Sequence, residues 1–246
     1  MPSISSYILS KPSLLSSLIL ARRLFGAWYT RDAADIIRDR AALPAVKALD
    51  KSTECMSIDP TYVLKDSLSC NNHFGYQAVS KVNPLAYAWS KSADFSSPLI
   101  TGVIPPKRMP SAEKFDVPMV TLIDHISENV SGHPGLIHGG MTTVIAHSSM
   151  SLVAALNAPR AQIVPRTLNM DYRKPIRTGN FVKIHAWLYE KSSISRSAPG
   201  VTDAMMLKAA VHFYSLENEL LVEAISDILV ANGSRQDVAQ IENARF

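Results

Sequence analysis

Three histidines and two glycines with chemical potential lie close together: His133, His138, Gly139, Gly140 and His147. The first four sit in Gly132-His133-Pro134-Gly135-Leu136-Ile137-His138-Gly139-Gly140, which runs straight into the apolar stretch Met141 to Leu156 that carries His147. The pattern predicts a Gly/Pro/His loop opening a helix at Gly139. The first turn of a helix has N–H groups without a partner inside the helix, and they point at whatever lies in front. Glycine there lets a ligand oxygen approach the backbone. Gly139 and Gly140 are therefore candidate N–H donors that polarise a carbonyl or hold an anion.

Thr143, His147 and Ser151 recur every four residues and form a polar stripe on an otherwise apolar helix. The stripe is a candidate binding surface, with His147 a candidate general base, because neutral imidazole accepts a proton near neutral pH. A packed histidine with satisfied hydrogen bonds is the competing reading. His138 either hydrogen-bonds a substrate carbonyl or pins the loop through its backbone. His133 either binds substrate or only shapes the loop. A metal site is not expected: no cysteine or carboxylate falls at ligand spacing. Ser148 and Ser149 adjoin His147 but point about 100° away from their helix neighbours, so they make no triad. Arg173, Lys174 and Arg177 cluster before a Thr178-Gly179 turn. They could neutralise phosphates or simply face water.

Composition narrows the class. The chain has 246 residues, 47% hydrophobic and 19% charged, ordinary for a globular protein. Two cysteines, Cys55 and Cys70, exclude a disulfide scaffold and favour a reducing, intracellular compartment, cytoplasmic or mitochondrial. Net charge is +4, and residues 1–31 carry Lys11, Arg22, Arg23 and Arg31 with no acid. Those four account for the whole excess, so no basic nucleic-acid face is expected. The segment reads as a transit peptide, a peripheral membrane-contact helix, or a helix docked on the domain. Its apolar run is too short to span a bilayer.

Periodicity supplies the elements. Asp32 to Asp50 reads as helix, capped by Asp32 and divided near Pro44. Prolines from 84 to 118 limit long elements there. Tyr62, Tyr76, Tyr87 and Trp89 nevertheless call for packing. Residues 32–114 thus read as an extension wrapping the later domain and covering its substrate tunnel. Strands are predicted at Val117–Ile126, Ile163–Tyr172, Phe181–Tyr189, Met205–Leu216 and Leu220–Ala231, with helix 139–156 among them. Glu217-Asn218 is the expected hairpin turn, and 191–200 a polar loop. The domain runs 115–231 with a tail at 232–246. One apolar helix against an antiparallel sheet with one wet face is an α+β arrangement.

Gly132 to Gly140 resembles the motif of hotdog-fold acyl-CoA thioesterases of the PaaI-like type. Leu168-Asn-Met-Asp-Tyr-Arg-Lys-Pro175 resembles the strand after their central helix. The resemblance implies a hotdog fold, a helix wrapped by an antiparallel sheet, assembled as a homodimer or dimer of dimers with a site across the interface. It implies an acyl thioester substrate and no cofactor. It also places a catalytic Asp or Glu where this chain has His147. Three readings stay open: thioester hydrolysis; a non-hydrolytic isomerase, dehydratase or cyclase on a natural-product intermediate of secondary metabolism; and a non-catalytic acyl-binding dimer.

Overall fold

The computed structural model describes residues 32–60, 63, 80, 82–89, 120–158, 161–194 and 202–232. Expectations for residues 1–31, Tyr62, Tyr76 and the 233–246 tail fall outside them.

The central element is α3 (Gly139–Asn157). Ile145, Ala146, Met150, Leu152, Val153, Ala154 and Ala155 are buried on it. No charged residue interrupts it, so it can lie inside a curled sheet. Its interior serines do not break it, because Ser148 Oγ donates to Val144 O and Ser149 Oγ to Ile145 O.

The sheet is antiparallel throughout. In chain order its strands are β1 (Cys55–Ile58), β2 (Leu85–Trp89), β3 (Val120–His125), β6 (Gln162–Pro165), β7 (Asn169–Tyr172), β8 (Phe181–Ser193), β9 (Thr202–Tyr214) and β10 (Leu220–Asn232). Spatially they run β1-β2-β3-β8-β9-β10-β6, with β7 also on β10. Leu207, Ala209, Val211 and Phe213 of β9 enter the α3 core, as their alternation predicts. The β9–β10 hairpin turns at Glu217-Asn218. Asn218 takes φ 67°, which asparagine tolerates, and Ser215 N–H closes the turn on Glu219 O. A small ribbon, β4 (Ser131–His133) with β5 (Leu136–Ile137), carries the glycine loop.

Three expectations need correction. The single strand Ile163–Tyr172 is broken: β6 and β7 both pair β10, but after the Arg166 N–H bond to Asp227 O the chain leaves the ladder at Thr167 and Leu168. Pro165 precedes the break, and Thr167 Oγ1 takes the Asp227 N–H that a ladder carbonyl would have taken. The polar loop starts later than Lys191, since β8 continues through Ser193, paired with Met205. The second sheet face is not wet where β2, β3, β8 and β9 lie. Helices α1 (Ala33–Ala42) and α2 (Pro44–Lys51) cover it there. Ile36, Val46 and Leu49 pack with Tyr87, Trp89, Ile123, Phe181, Trp187 and Ala210. Asp32 stands at the α1 N-cap position, though its side chain makes no capping bond. Pro44 starts α2, where its missing N–H costs nothing.

Under this cover lies a buried polar chain. Trp89 Nε1 donates to Thr121 Oγ1 at 2.8 Å, and Thr121 Oγ1 lies 2.9 Å from His185 Nδ1. His212 Nδ1 is 3.0 Å from Tyr214 Oη, and its Nε2 is 3.4 Å from Glu223. Burial holds the His185 imidazole well below its ordinary pKa, and Lys183 adds to that. Burial, then Arg173, brings His212 down to about 4. Glu223 does not reverse this, because Arg173 pairs with the same carboxylate. Fully buried Asp124 moves the other way, pushed up to about 7 by burial against the His125 N–H and Arg40.

Stability should therefore depend on pH with opposing slopes. Both histidines stay neutral in the fold, so their contribution is full above about 6.5 and is lost as pH falls through about 4 for His212. Asp124 is neutral in the fold, so its contribution is present below its unfolded value and lost as pH rises through about 7. Each changes stability by about 1.4 kcal/mol per pH unit within its window. Asp124→Asn, which keeps the shape, should steepen the loss of stability between pH 6.5 and 4.5. His212→Asn should flatten it. Urea melts across that range check both; identical slopes in all three proteins would refute the assignment.

Candidate active site

The glycine loop is braced from behind. His138 N–H donates to Val130 O at 2.8 Å, Ile137 N–H to Ile176 O at 3.0 Å, and Thr178 N–H to Gly135 O at 3.0 Å. Gly135 takes φ 74° at the turn. Gly132 is needed for a different reason: a Cβ there would lie 2.9 Å from His138 Cα. That contact is with backbone, so it cannot be relieved by a rotamer change.

The start of α3 can be accounted for amide by amide. His138 is the N-cap, and its Nδ1 accepts the Gly140 N–H at 3.0 Å. The Met141 and Thr142 N–H groups both go to His138 O, at 2.9 and 3.2 Å. Only Gly139 keeps an open N–H in this turn among the described residues. The expected donor pair thus divides: Gly139 can polarise a carbonyl, and Gly140 is committed to the cap. The His138 backbone pins the loop through its N–H on Val130 O, and its ring caps the helix. Its Nδ1 is an acceptor, so its proton sits on Nε2.

The Thr143/His147/Ser151 stripe also divides. His147 is exposed, Thr143 is half-buried, and Ser151 is buried with no hydrogen-bond partner for its hydroxyl among the described residues. Eight helical residues turn the face by about 80°, enough to carry Ser151 inside. Thr143 Oγ1 donates to Gly139 O at 3.1 Å and lies 3.1 Å from Tyr172 Oη. The Tyr172 hydroxyl donates to Gly139 O at 2.9 Å. Sequence reasoning placed Tyr172 only on the face of a strand. The sequence carried no signal for this contact, which joins residues 33 apart.

His133 is exposed on β4. Arg173 and Lys174, expected to meet phosphates, have carboxylate partners. Arg173 forks onto Glu223 with Asp171 beside it at 3.3 Å, and Lys174 pairs with Glu219. These pairs are exposed enough to exchange for a ligand anion at little cost. Arg177 has no ion pair among the described residues and lines a cleft of about 690 Å³ with Asp39, Leu43, Phe181, Leu216 and Leu221. Neither Gly139 nor His147 lines that cleft. Among the described residues no three metal-ligating side chains gather.

A model of the thioesterase superfamily matches residues 134–195, from the glycine loop through α3 to the end of β8. The matched residues fall on the helix and the strands around it that give this chain its hotdog architecture, a central helix wrapped by an antiparallel sheet. No curated protein matches it in sequence. Solved structures similar to this hotdog chain include zebra fish thioesterase superfamily member 2, 17% identical, covering 45% of this chain and 73% of that one at TM-score 0.38. A putative thioesterase related to phenylacetic acid degradation from Ralstonia eutropha is 13% identical, with 45% and 75% covered at TM-score 0.36. A hypothetical thioesterase protein with coenzyme A from Streptococcus pneumoniae is 16% identical, with 48% and 80% covered at TM-score 0.37.

The loop geometry makes a direct prediction. Gly132→Ala should destabilise the fold by roughly 1–3 kcal/mol, the usual cost of forcing atoms into packed space. Ala at Gly135 should cost less sterically, because no atom lies within 4 Å of its Cβ, yet it retains the left-handed backbone penalty. Thermal melts that rank Gly135→Ala as the more damaging would show that the loop is not packed as described.

Proposed function

We propose that this hotdog protein acts on an acyl thioester such as an acyl-CoA. The Gly139 N–H holds the carbonyl oxygen, and His147 serves as general base. The observation that carries the reading is the single open amide at the start of α3. Every neighbouring amide of that turn is bound, so the donor is pre-aimed and pays no reorganisation when charge develops on oxygen.

The two groups belong to different subunits in this proposal. His147 lies nine residues along α3 from the cap, about 13 Å of helix rise, too far for one carbonyl to reach both in the same chain. A homodimer, or a dimer of dimers, that brings a second α3 alongside would shorten the gap. Val144 and Tyr172, 37% and 51% exposed near the helix start, offer apolar surface for that contact.

A clean variant tests the shared site. Gly139→Pro removes the open N–H and sets a ring methylene in its place, while the helix start is kept, since proline is tolerated at the first helical position and His138 already has the extended ψ of 132° that a proline requires. Gly139→Pro and His147→Ala should each be nearly inactive alone. Mixed under subunit exchange, they should recover roughly a quarter of wild-type activity, because half of the dimers carry one intact site of two. No recovery after verified exchange would place both groups in one chain.

A second reading is favoured by the residue at 147 itself. A neutral imidazole is suited to removing a proton from carbon or a hydroxyl, so the reaction could be isomerisation, dehydration or cyclisation of a natural-product thioester. His147→Ala should lower kcat by about 10²–10⁴ with little change in KM. His147→Asp separates the readings. If hydrolysis is native, the carboxylate should sustain it at a reduced rate. If hydrolysis appears only in His147→Asp, while a native reaction is lost, the natural chemistry is not hydrolysis. Unchanged turnover in His147→Ala excludes both.

A further inference from the structure

We infer that Tyr172 is a positioning residue that fixes the Gly139 backbone so that its N–H meets the substrate carbonyl. The inference rests on the proposed role of Gly139 and adds a residue to it.

Gly139 has no Cβ, so its backbone torsions are soft, and it stands at the one position where an open amide must be held still. The peptide joining Gly139 to Gly140 is gripped at both ends. On its carbonyl side Tyr172 Oη donates at 2.9 Å and Thr143 Oγ1 at 3.1 Å. On its amide side the Gly140 N–H is held by His138 Nδ1 at 3.0 Å. On the preceding peptide, His138 O receives both Met141 and Thr142 N–H. With the planes on either side of the Gly139 Cα fixed, the Gly139 N–H has one direction left.

Thr143 lies on the same helix and moves with it. Tyr172 belongs to the sheet, so it alone of the two ties the helix start to an independent support. That support is firm. Tyr172 pairs with Val222 in β7–β10, and the next two amides, Arg173 and Lys174, both donate to Leu221 O at 2.9 Å. The ring edge also lies beside the glycine: a Cβ placed at Gly139 would come within 3.7 Å of Tyr172 Cζ and 3.9 Å of Cε1, ring carbons that phenylalanine keeps. Removing the hydroxyl alone therefore leaves the packing in place.

The test is a cycle of Tyr172→Phe, Gly139→Pro and the double variant, assayed on short- and medium-chain acyl-CoA thioesters. Tyr172→Phe should lower kcat about 10- to 100-fold, part of the 10²–10³ for losing one oxyanion donor, with KM within about twofold and an unchanged melting temperature. The double variant should be no slower than Gly139→Pro, because Tyr172 acts only through the amide that proline removes. A merely structural tyrosine would instead lower the melting temperature, or multiply its effect on that of Gly139→Pro, and either result overturns the assignment. If wild-type protein turns over none of these thioesters, the proposed function fails separately. The positioning role is then read from the Gly139 amide by nuclear magnetic resonance: Tyr172→Phe should shift that signal and speed its hydrogen exchange, and an unaltered signal refutes it.

Discussion

The constraint on which the rest depends is the burial of α3. The middle of the helix lies inside the sheet, while His138, Gly139 and Gly140 at its start are exposed, so its end groups are held partly by the protein and partly open to whatever lies in front of them. At its C-terminus the Ala158 N–H returns to Ala154 O. At its N-terminus the loop does the work: one histidine supplies the cap through its ring and two acceptances through its carbonyl. The accounting closes on every amide except Gly139. The open donor is what remains at an exposed helix start when the capping ring takes the Gly140 amide and leaves Gly139. Structure and candidate chemistry are here one hydrogen-bond count.

That cap sets the demands on the surrounding sequence. Gly132 must be small because the His138 backbone lies against it. Gly179, at φ 77°, brings its N–H to Ile126 O at 2.7 Å and so closes the segment that braces the loop from behind. A Cβ there would also approach Glu128 Oε1 to 2.8 Å, a flexible tip that could move, so the backbone angle is the stricter requirement. The glycines of the region thus serve different ends. One makes room for a backbone, two turn the chain, and one exposes a donor.

Much of the fold was legible in the sequence because it rests on period. The apolar run at 141–156 and the alternation at Leu207, Ala209, Val211 and Phe213 each leave one arrangement that buries them. What was not legible depends on partners rather than pattern. Ile36, Val46 and Leu49 show that α1 and α2 have an apolar face, but not that it lands on Trp187 and Tyr87 across the sheet from α3. Hence a face expected to be wet holds a second core. The site was legible in part. Gly139 and His147 could be named from position, yet whether Gly140 shared the donor role turned on the His138 ring. Ser151 left the polar stripe because a four-residue repeat drifts on a helix of 3.6 residues per turn. Tyr172 read as an apolar strand residue because its bond to Gly139 O is made by one terminal oxygen, which strand alternation does not reveal.

The second core bears on the first through β7 and β10. Glu223 faces His212 on one side and takes Arg173 on the other, while Tyr172, the neighbour of Arg173, holds Gly139. A continuous set of contacts therefore runs from the covered face of the sheet to the helix start. It is a mechanical connection, since each member is held on a ladder strand or at its end. The chemistry proposed at Gly139 would need placement more than charge: a backbone N–H cannot be titrated away, and its strength depends on direction. A rigid sheet suits that requirement better than a mobile loop would. The same consideration explains why the cations nearest the site, Arg173 and Lys174, spend their charge on holding β7 to the β9–β10 hairpin and its turn. Their ion pairs add little stability at an exposed edge, but they limit how far the end of β7 can swing, and with it the hydroxyl of Tyr172.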